Sequence, residues 1–447
     1  MTDAVSTNLG QPFLLSKNRT GCPRDGIPPL EAAPELLPDD PIRKEFPGIP
    51  SGQDFITRST ALLKDAAIFS VLVLRLDCAV GQQQALPPEK LLDYRCKAAQ
   101  AVAQVGEDTG AFWGFLTAET LSCVLSGRDQ ASGVAAAKKI QSGLAAIDGH
   151  TLTVGIAAFP CLRYTAVDVI RNAGKALTHA TFFGPGSRAC FDAVSLNISG
   201  DCHYDAGEID DAIAEYRNAL RLNPRNINVL NSLGVCFGVR GDYDKALTAF
   251  NAATKIDPQE VLALYNAGLV HLLREDRQTA LEIWLKAAPR GSEIFELNIQ
   301  IGRCLLEAGQ PEKAQDYIQR AINSRPESAQ AQRLLGDIFL AQRLTDQAIA
   351  PYKTALRANP NNAAALSGLA RCYELRGENM EIALSFCRQS VEIAPDSGRA
   401  FLRLGRLLLK ANRLEEARQA FKTAESLGED ARDMIAAIDE RLVEKAS

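Results

Sequence analysis

The spacing of apolar and small residues changes character near residue 193. From there the chain repeats itself every 34 residues: Gly200, Gly234, Gly268, Gly302 and Gly336 form one series. Ala212, Ala246, Ala280, Ala314 and Ala348 form a second, and Ala219, Ala253, Ala287, Ala321 and Ala355 a third. Large residues keep step between them: Tyr216, Phe250, Trp284, Ile318, Tyr352 and Phe421. Frames therefore begin near residues 193, 227, 261, 295, 329, 363 and 398. Each frame predicts two helices, with the glycine letting them approach closely and the alanines letting the second helix nest against its neighbours. Pro224, Pro258, Pro326, Pro360 and Pro395 fall near frame ends. Proline stops a helix there because it lacks the donor N–H and disfavours helical backbone in the residue before it. The third frame carries Pro289 instead, the sixth has Ala370 for glycine and an extra residue near Asn379, and the seventh keeps Gly405, Ala417 and Ala424. Asp430–Lys445 predicts the capping helix that an open stack of hairpins requires.

Upstream, the period alternates. Phe69–Leu76 is a β-branched apolar run and predicts a buried strand. Pro88–Val105 has helical spacing and opens on proline. Ala111–Leu116 and Leu121–Ser126 predict a hairpin, Ala131–Ile147 a helix, Thr151–Phe159 a strand and Val167–Ala180 a helix. Arg188–Asp192 predicts an edge strand. Strands interleaved with helices imply one sheet covered by helices, in an α/β or α+β domain. Residues 1–42 hold six prolines from Pro23 to Pro41 without periodicity and predict a flexible arm.

At 447 residues and 46% hydrophobic, the chain has length and apolar content for more than one domain. A net charge of −5 argues against a nucleic-acid partner, which leaves a basic footprint. No apolar run approaches bilayer-spanning length, and Met1–Gly10 has no secretory pattern. The eleven cysteines are scattered without CxxC pairs and read as small hydrophobes in a reducing, cytoplasmic setting. His203 and His271 occupy the same frame position 68 residues apart, too far to share a metal, and read as packing residues. His150 and His179 lack ligand partners at metal spacing. No metal site, cofactor or catalytic set is predicted.

A 34-residue period with small residues at these places resembles the tetratricopeptide repeat. The resemblance implies an all-α solenoid over residues 193–431, capped by residues 432–447, that binds other proteins or peptides. The first helix of each frame would line a groove at about its second, fifth, ninth and twelfth positions. Candidate partner-binding residues there are Asn197, Asn228, Asn231, Tyr265, Arg303, Arg333, Arg371 and Arg406. Asparagine can hold a peptide backbone and arginine can clamp carboxylates, so an extended or helical peptide of acidic character is the expected occupant.

Residues 43–192 resemble the GGDEF family of diguanylate cyclases, with an α+β fold. Phe46-Pro-Gly-Ile-Pro-Ser-Gly-Gln-Asp-Phe55 is similar to its opening LTGLPNRRxF turn, Phe69–Asp77 to its strand ending in Asp-x-Asp, and Thr151–Pro160 to its late TVSIGVA strand. Asn172–Thr181 resembles the ADxALYxAK helix and Gly184–Asp192 the closing GxNxVxxYD. The resemblance implies a metal held by carboxylates to neutralise phosphate charge. Arg75 stands where the first of these is expected, and Asp77 matches only the second Asp. The signature hairpin is replaced by Thr117-Ala118-Glu119-Thr120-Leu121. The guanine-reading and phosphate-binding positions fall near Gln83, Leu92 and Val80, and the product-inhibition motif near Asp108 and Ala111. The implied domain is therefore not an enzyme. Arg75 reads either as a phosphate contact in an altered site or as an ion pair with Asp77 or Glu119. Glu119 reads either as a surviving metal ligand or as a solvated turn residue.

Two functions follow as expectations. One is an interaction scaffold, in bacterial signalling or complex assembly, beside an inactive GGDEF-like domain. The alternative is a sensor of GTP or cyclic di-GMP that gates partner binding by the repeats.

Overall fold

Why the segment after residue 43 makes a sheet is visible in its strands: Phe69–Leu76 is buried along nearly its whole length, as a strand covered on both faces must be. The computed structural model describes residues 4–6, 12–15, 36, 40–77, 87–148, 151–377 and 379–446. Val80 and Gln83 lie outside them. The chain divides into two compact units, Met1–Pro258 and Gln259–Ser447.

In the first unit β1 (Ala4–Ser6) pairs antiparallel with β2 (Pro12–Leu14). Short α1 (Ile42–Glu45) and α2 (Gly52–Leu63) precede β3 (Phe69–Leu76). Then come α3 (Pro88–Thr109), β4 (Phe112–Thr117), β5 (Thr120–Ser126) and α4 (Gln130–Asp148). They are followed by β6 (Leu152–Phe159), α5 (Ala166–Thr181) and β7 (Arg188–Cys190). The sheet order is β4-β5-β3-β6-β7, antiparallel except for the β6–β7 edge pair. The first six of these elements from β3 form a split βαβ arrangement, in which β3 and β6 become neighbours although a hairpin lies between them in sequence. Leu72, Leu74, Val102, Phe115, Ile140 and Ile156 meet in its core.

Four helices complete this unit: α6 (Ala193–Asp205), α7 (Ile209–Leu222), α8 (Ile227–Val239) and α9 (Tyr243–Ile256). Asp192 caps α6 by accepting from the amides of Val194 and Ser195, leaving few orphan donors at its start. Helix α6 packs against α5, and the Lys175 ammonium donates to Glu215 of α7 at 2.7 Å. The sheet and the first two hairpins thus share one compact unit.

The second unit is all helix: α10 (Val261–Leu273), α11 (Arg277–Ala287), α12 (Phe295–Glu307), α13 (Pro311–Ser324), α14 (Ala329–Ala341) and α15 (Thr345–Ala358). It continues through α16 (Ala363–Arg376), α17 (Met380–Ile393), α18 (Gly398–Lys410), α19 (Leu414–Ser426) and α20 (Arg432–Ala446). The pairs α10–α11, α12–α13, α14–α15, α16–α17 and α18–α19 are hairpins, and α20 packs on α19. Within this unit the first helices α12, α14, α16 and α18 contact one another in series.

The repeating glycine has a specific partner. A Cβ at Gly200 would lie 2.5 Å from the Tyr216 ring, at Gly234 2.5 Å from Phe250, and at Gly268 2.3 Å from Trp284. At Gly302, Gly336 and Gly405 the same holds for Ile318, Tyr352 and Phe421. The glycine is a seat for the large residue of the second helix. Where the sixth frame carries Ala370, the small Cys387 shares its buried cluster. A methyl added on one helix is matched by volume removed on the other, as close packing demands.

Two expectations need correction. The N-terminal arm is not free throughout, because Phe13, Leu14, Leu15 and Leu36 are buried. Nor is every cysteine a thiol, since Cys202 is disulfide-bonded. Among the free ones, burial holds the thiols of Cys123 and Cys387 up at about 12, so they stay protonated and unreactive.

Candidate peptide-binding groove

The inner positions of the first helices differ between hairpins in what they already hold. On α6, the Asn197 amide reaches Asp201, whose buried carboxylate also accepts from Tyr216 Oη at 2.7 Å. The same motif returns on α14, where Asp337 accepts from Tyr352 Oη at 2.6 Å and from Arg333. Burial pushes the Asp337 carboxyl above its ordinary value, against the pull of Arg333 and the Tyr352 hydrogen bond.

On α8, Asn228 is exposed, but Asn231 is buried and donates through Nδ2 to the main-chain carbonyl of Leu14 at 3.1 Å. An asparagine expected to hold a peptide backbone holds one, and it belongs to this chain. Tyr265 of α10 is buried, and its carbonyl accepts from Trp284 Nε1 at 2.9 Å, so it is not an open groove wall.

The arginines expected to meet an acidic partner make bonds within their own unit. Arg303 donates to Gln300 at 2.6 Å, and Arg333 to Asp337. Arg371 donates to Glu374 at 2.9 Å. Glu296 pairs with Arg325 at 2.8 Å. Arg406 is exposed. Sequence spacing brings these residues to one face but does not reveal partners three or four positions along the same helix, where side chains meet readily.

Glu374 shows how firmly such pairs can be set. Its side chain is 4% exposed, between Arg371 and Lys410 of the next first helix. Burial alone would raise its pKa, yet hydrogen bonds from Lys410 and Arg371 hold it below the ordinary 4.5. A folded-state pKa below the unfolded one stabilises above that unfolded value and loses the stabilisation as pH falls through the folded value. The second unit is therefore expected to lose stability below about pH 4.5, more gently in Glu374→Gln, as a pH series of thermal melts would show.

His203 and His271 are more than packing residues. Each Nδ1 meets the acid five residues on, Glu208 at 2.7 Å and Asp276 at 3.3 Å, across the turn of its hairpin. His203, Glu208 and Asp211 come within ligand reach of one another, on largely exposed positions.

In the sheet, the residues of the expected nucleotide site are held apart from any shared task. Asp77 accepts from Thr151 Oγ1 at 2.9 Å, Thr153 Oγ1 at 2.6 Å and the Gly186 amide at 2.7 Å. It anchors the Gly184–Gly186 turn, where Gly184 and Gly186 have φ of +90° and +73°. Arg75 lies in register between Thr120 and Thr153 on the flanking strands, and the ion pair with Asp77 or Glu119 is not formed among the described residues. Glu119 is exposed at the hairpin tip, its amide donating to Thr117 Oγ1 at 3.2 Å. Asp108 pairs with Lys139, which lowers its pKa by hydrogen bond and charge.

Family models of the tetratricopeptide repeat match residues 199–261, 238–293, 299–363 and 341–398, and a second such model matches 375–438. The helical hairpins are tetratricopeptide repeats. Among solved structures, YrrB, described as a tetratricopeptide repeat protein with an unusual peptide-binding site, is 22% identical over 44% of this chain and 97% of its own, with a TM-score of 0.39. A tetratricopeptide repeat protein from Parabacteroides merdae ATCC 43184 is 18% identical over 55% of this chain and 96% of its own, with a TM-score of 0.42. MamA is 22% identical over 38% and 93%, with a TM-score of 0.34. No curated protein matches the chain. Tetratricopeptide repeats in general mediate protein–protein interaction, and no described helix is long and apolar enough to cross a membrane.

Proposed function

We propose that this protein is an interaction scaffold whose repeats hold partner peptides against their first helices, in bacterial signalling or complex assembly. The observation that carries this is the Asn231 amide holding the Leu14 carbonyl, which shows a first helix engaging extended backbone by its main chain. The segment before the repeats is, in this reading, a GGDEF-like domain without catalytic function. Asp77, the carboxylate it retains at the strand end, accepts three hydrogen bonds from protein groups, which leaves it poorly placed to serve a metal.

The test has two arms. Full-length protein carrying Arg333→Glu and Arg371→Glu is expected to lose partners that the unaltered chain recovers from its native lysate. Unchanged recovery of every partner would count against the groove. Titration with GTP or cyclic di-GMP and magnesium is expected to give no saturable binding by calorimetry. Micromolar binding abolished by Arg75→Ala would replace the scaffold with a nucleotide sensor.

A further inference from the structure

Residues Phe13–Leu15 are 1%, 0% and 2% exposed, the burial of a core although they lie near the chain's start. Phe13 and Leu14 are seated on α8, with which β2 makes contact. Two features of α8 form the seat. Asn231 Nδ2 donates to the Leu14 carbonyl at 3.1 Å. Seven residues on, Gly238 carries no side chain, and a Cβ there would meet the Phe13 ring at 2.5 Å. Seven residues are two helical turns, so both features face one way.

The seat is particular to this repeat. At the frame position of Gly238 the other repeats carry Tyr204, Leu272, Leu306, Leu340, Glu374 and Leu409. At the position of Asn231 they carry Asn197, Tyr265, Ile299, Arg333, Ser367 and Leu402. Only the second frame combines a backbone-holding amide with a glycine that opens a hollow for a ring.

We infer that this seat is a recognition site for an extended segment with an aromatic residue followed by two aliphatic ones, and that Phe13-Leu14-Leu15 is its tethered internal occupant. The inference rests on the scaffold reading and adds a partner class and a control. A partner peptide of the same chemistry displaces β2. Tethering gives the internal segment an effective concentration on the order of millimolar, which weakens every competing peptide in proportion. The site is closed until a partner outcompetes the chain's own residues.

The probe is a fluorescently labelled synthetic peptide spanning Gln11–Ser16, read by anisotropy against the full chain. Phe13→Asp places a charge where the ring is seated and is expected to release the arm. Peptide affinity then rises at least about tenfold over the unaltered protein, the direction set by removing a tethered competitor. Adding Asn231→Ala to Phe13→Asp is expected to reverse the gain. A second variant does not depend on how well Phe13→Asp folds. Gly238→Leu introduces the residue that four other repeats carry, and it is expected to keep the helical circular dichroism while amides of residues 13–15 lose hydrogen-exchange protection. Equal peptide affinity in the unaltered and Phe13→Asp proteins would overturn the inference. So would retained protection in Gly238→Leu. A concentration-dependent dimer that Phe13→Asp dissolves would make the occupant a second copy and overturn it as well. The scaffold reading fails separately, through unchanged recovery of partners by the Arg333 and Arg371 variants.

Discussion

Gly155→Ala is expected to be the most damaging single methyl that can be added to the first unit. Gly155 lies mid-way along β6, paired with Val73 on one side and Ala189 on the other. Helix α5 crosses it so closely that a Cβ would stand 2.0 Å from the Ala173 carbonyl oxygen and 2.1 Å from the Leu177 amide nitrogen. Both obstacles are backbone, so no rotamer change relieves them. Overpacking a well-filled core costs about 1–3 kcal/mol and sometimes more, and here the upper end applies because a whole helix must lift. Against a net stability of about 5–15 kcal/mol, a loss of roughly 3 kcal/mol is a large fraction. Trp113, on β4 of the same sheet, reports the transition by fluorescence. An unchanged midpoint would mean that α5 does not lie on the sheet as described.

Trp284→Ala is expected to strike the second unit hardest, costing about 3–5 kcal/mol. The indole is fully buried, stacks near Tyr265 with ring centroids 6.3 Å apart, and donates to its carbonyl. Truncation removes the ring and leaves that carbonyl without its indole donor. The hole cannot close from the opposite side, because Gly268 has no side chain to move into it. Stacked hairpins depend on their neighbours, so α10 and α11 are expected to lose amide protection before α14–α19. Hydrogen exchange would show the order, and a uniform loss along the unit would refute this local account.

What the sequence made legible follows from how each feature is encoded. The hairpins were readable because their seats recur: glycine opposite a large residue is written six times at fixed spacing, as at Gly200–Tyr216 and Gly405–Phe421. The strands were readable because Phe69–Leu76 and Leu152–Phe159 are short apolar runs between breakers. Asp77's engagement was not, since Thr151, Thr153 and Gly186 approach it only after β6 is laid beside β3. The placement of Phe13 was also hidden, because its contacts lie more than two hundred residues away, as in the 217-residue separation of Leu14 and Asn231. One signal was present. Phe13-Leu14-Leu15 is an apolar triplet in a proline-rich stretch that otherwise lacks periodicity. The arginine pairs were missed because position within a frame gives the face of a helix, whereas charge compensation depends on which side chain reaches over it.

The division of the chain at Pro258 rather than at the start of the repeats governs how it can be dissected. A cut at residue 193 would sever the Lys175–Glu215 ion pair and the bond between His179 and Ser195, exposing apolar faces of α5 and α6 together. Expression fragments and any chimaera built from this protein should therefore avoid a boundary at residue 193, which cuts within the first unit and separates the sheet from the two repeats that share it.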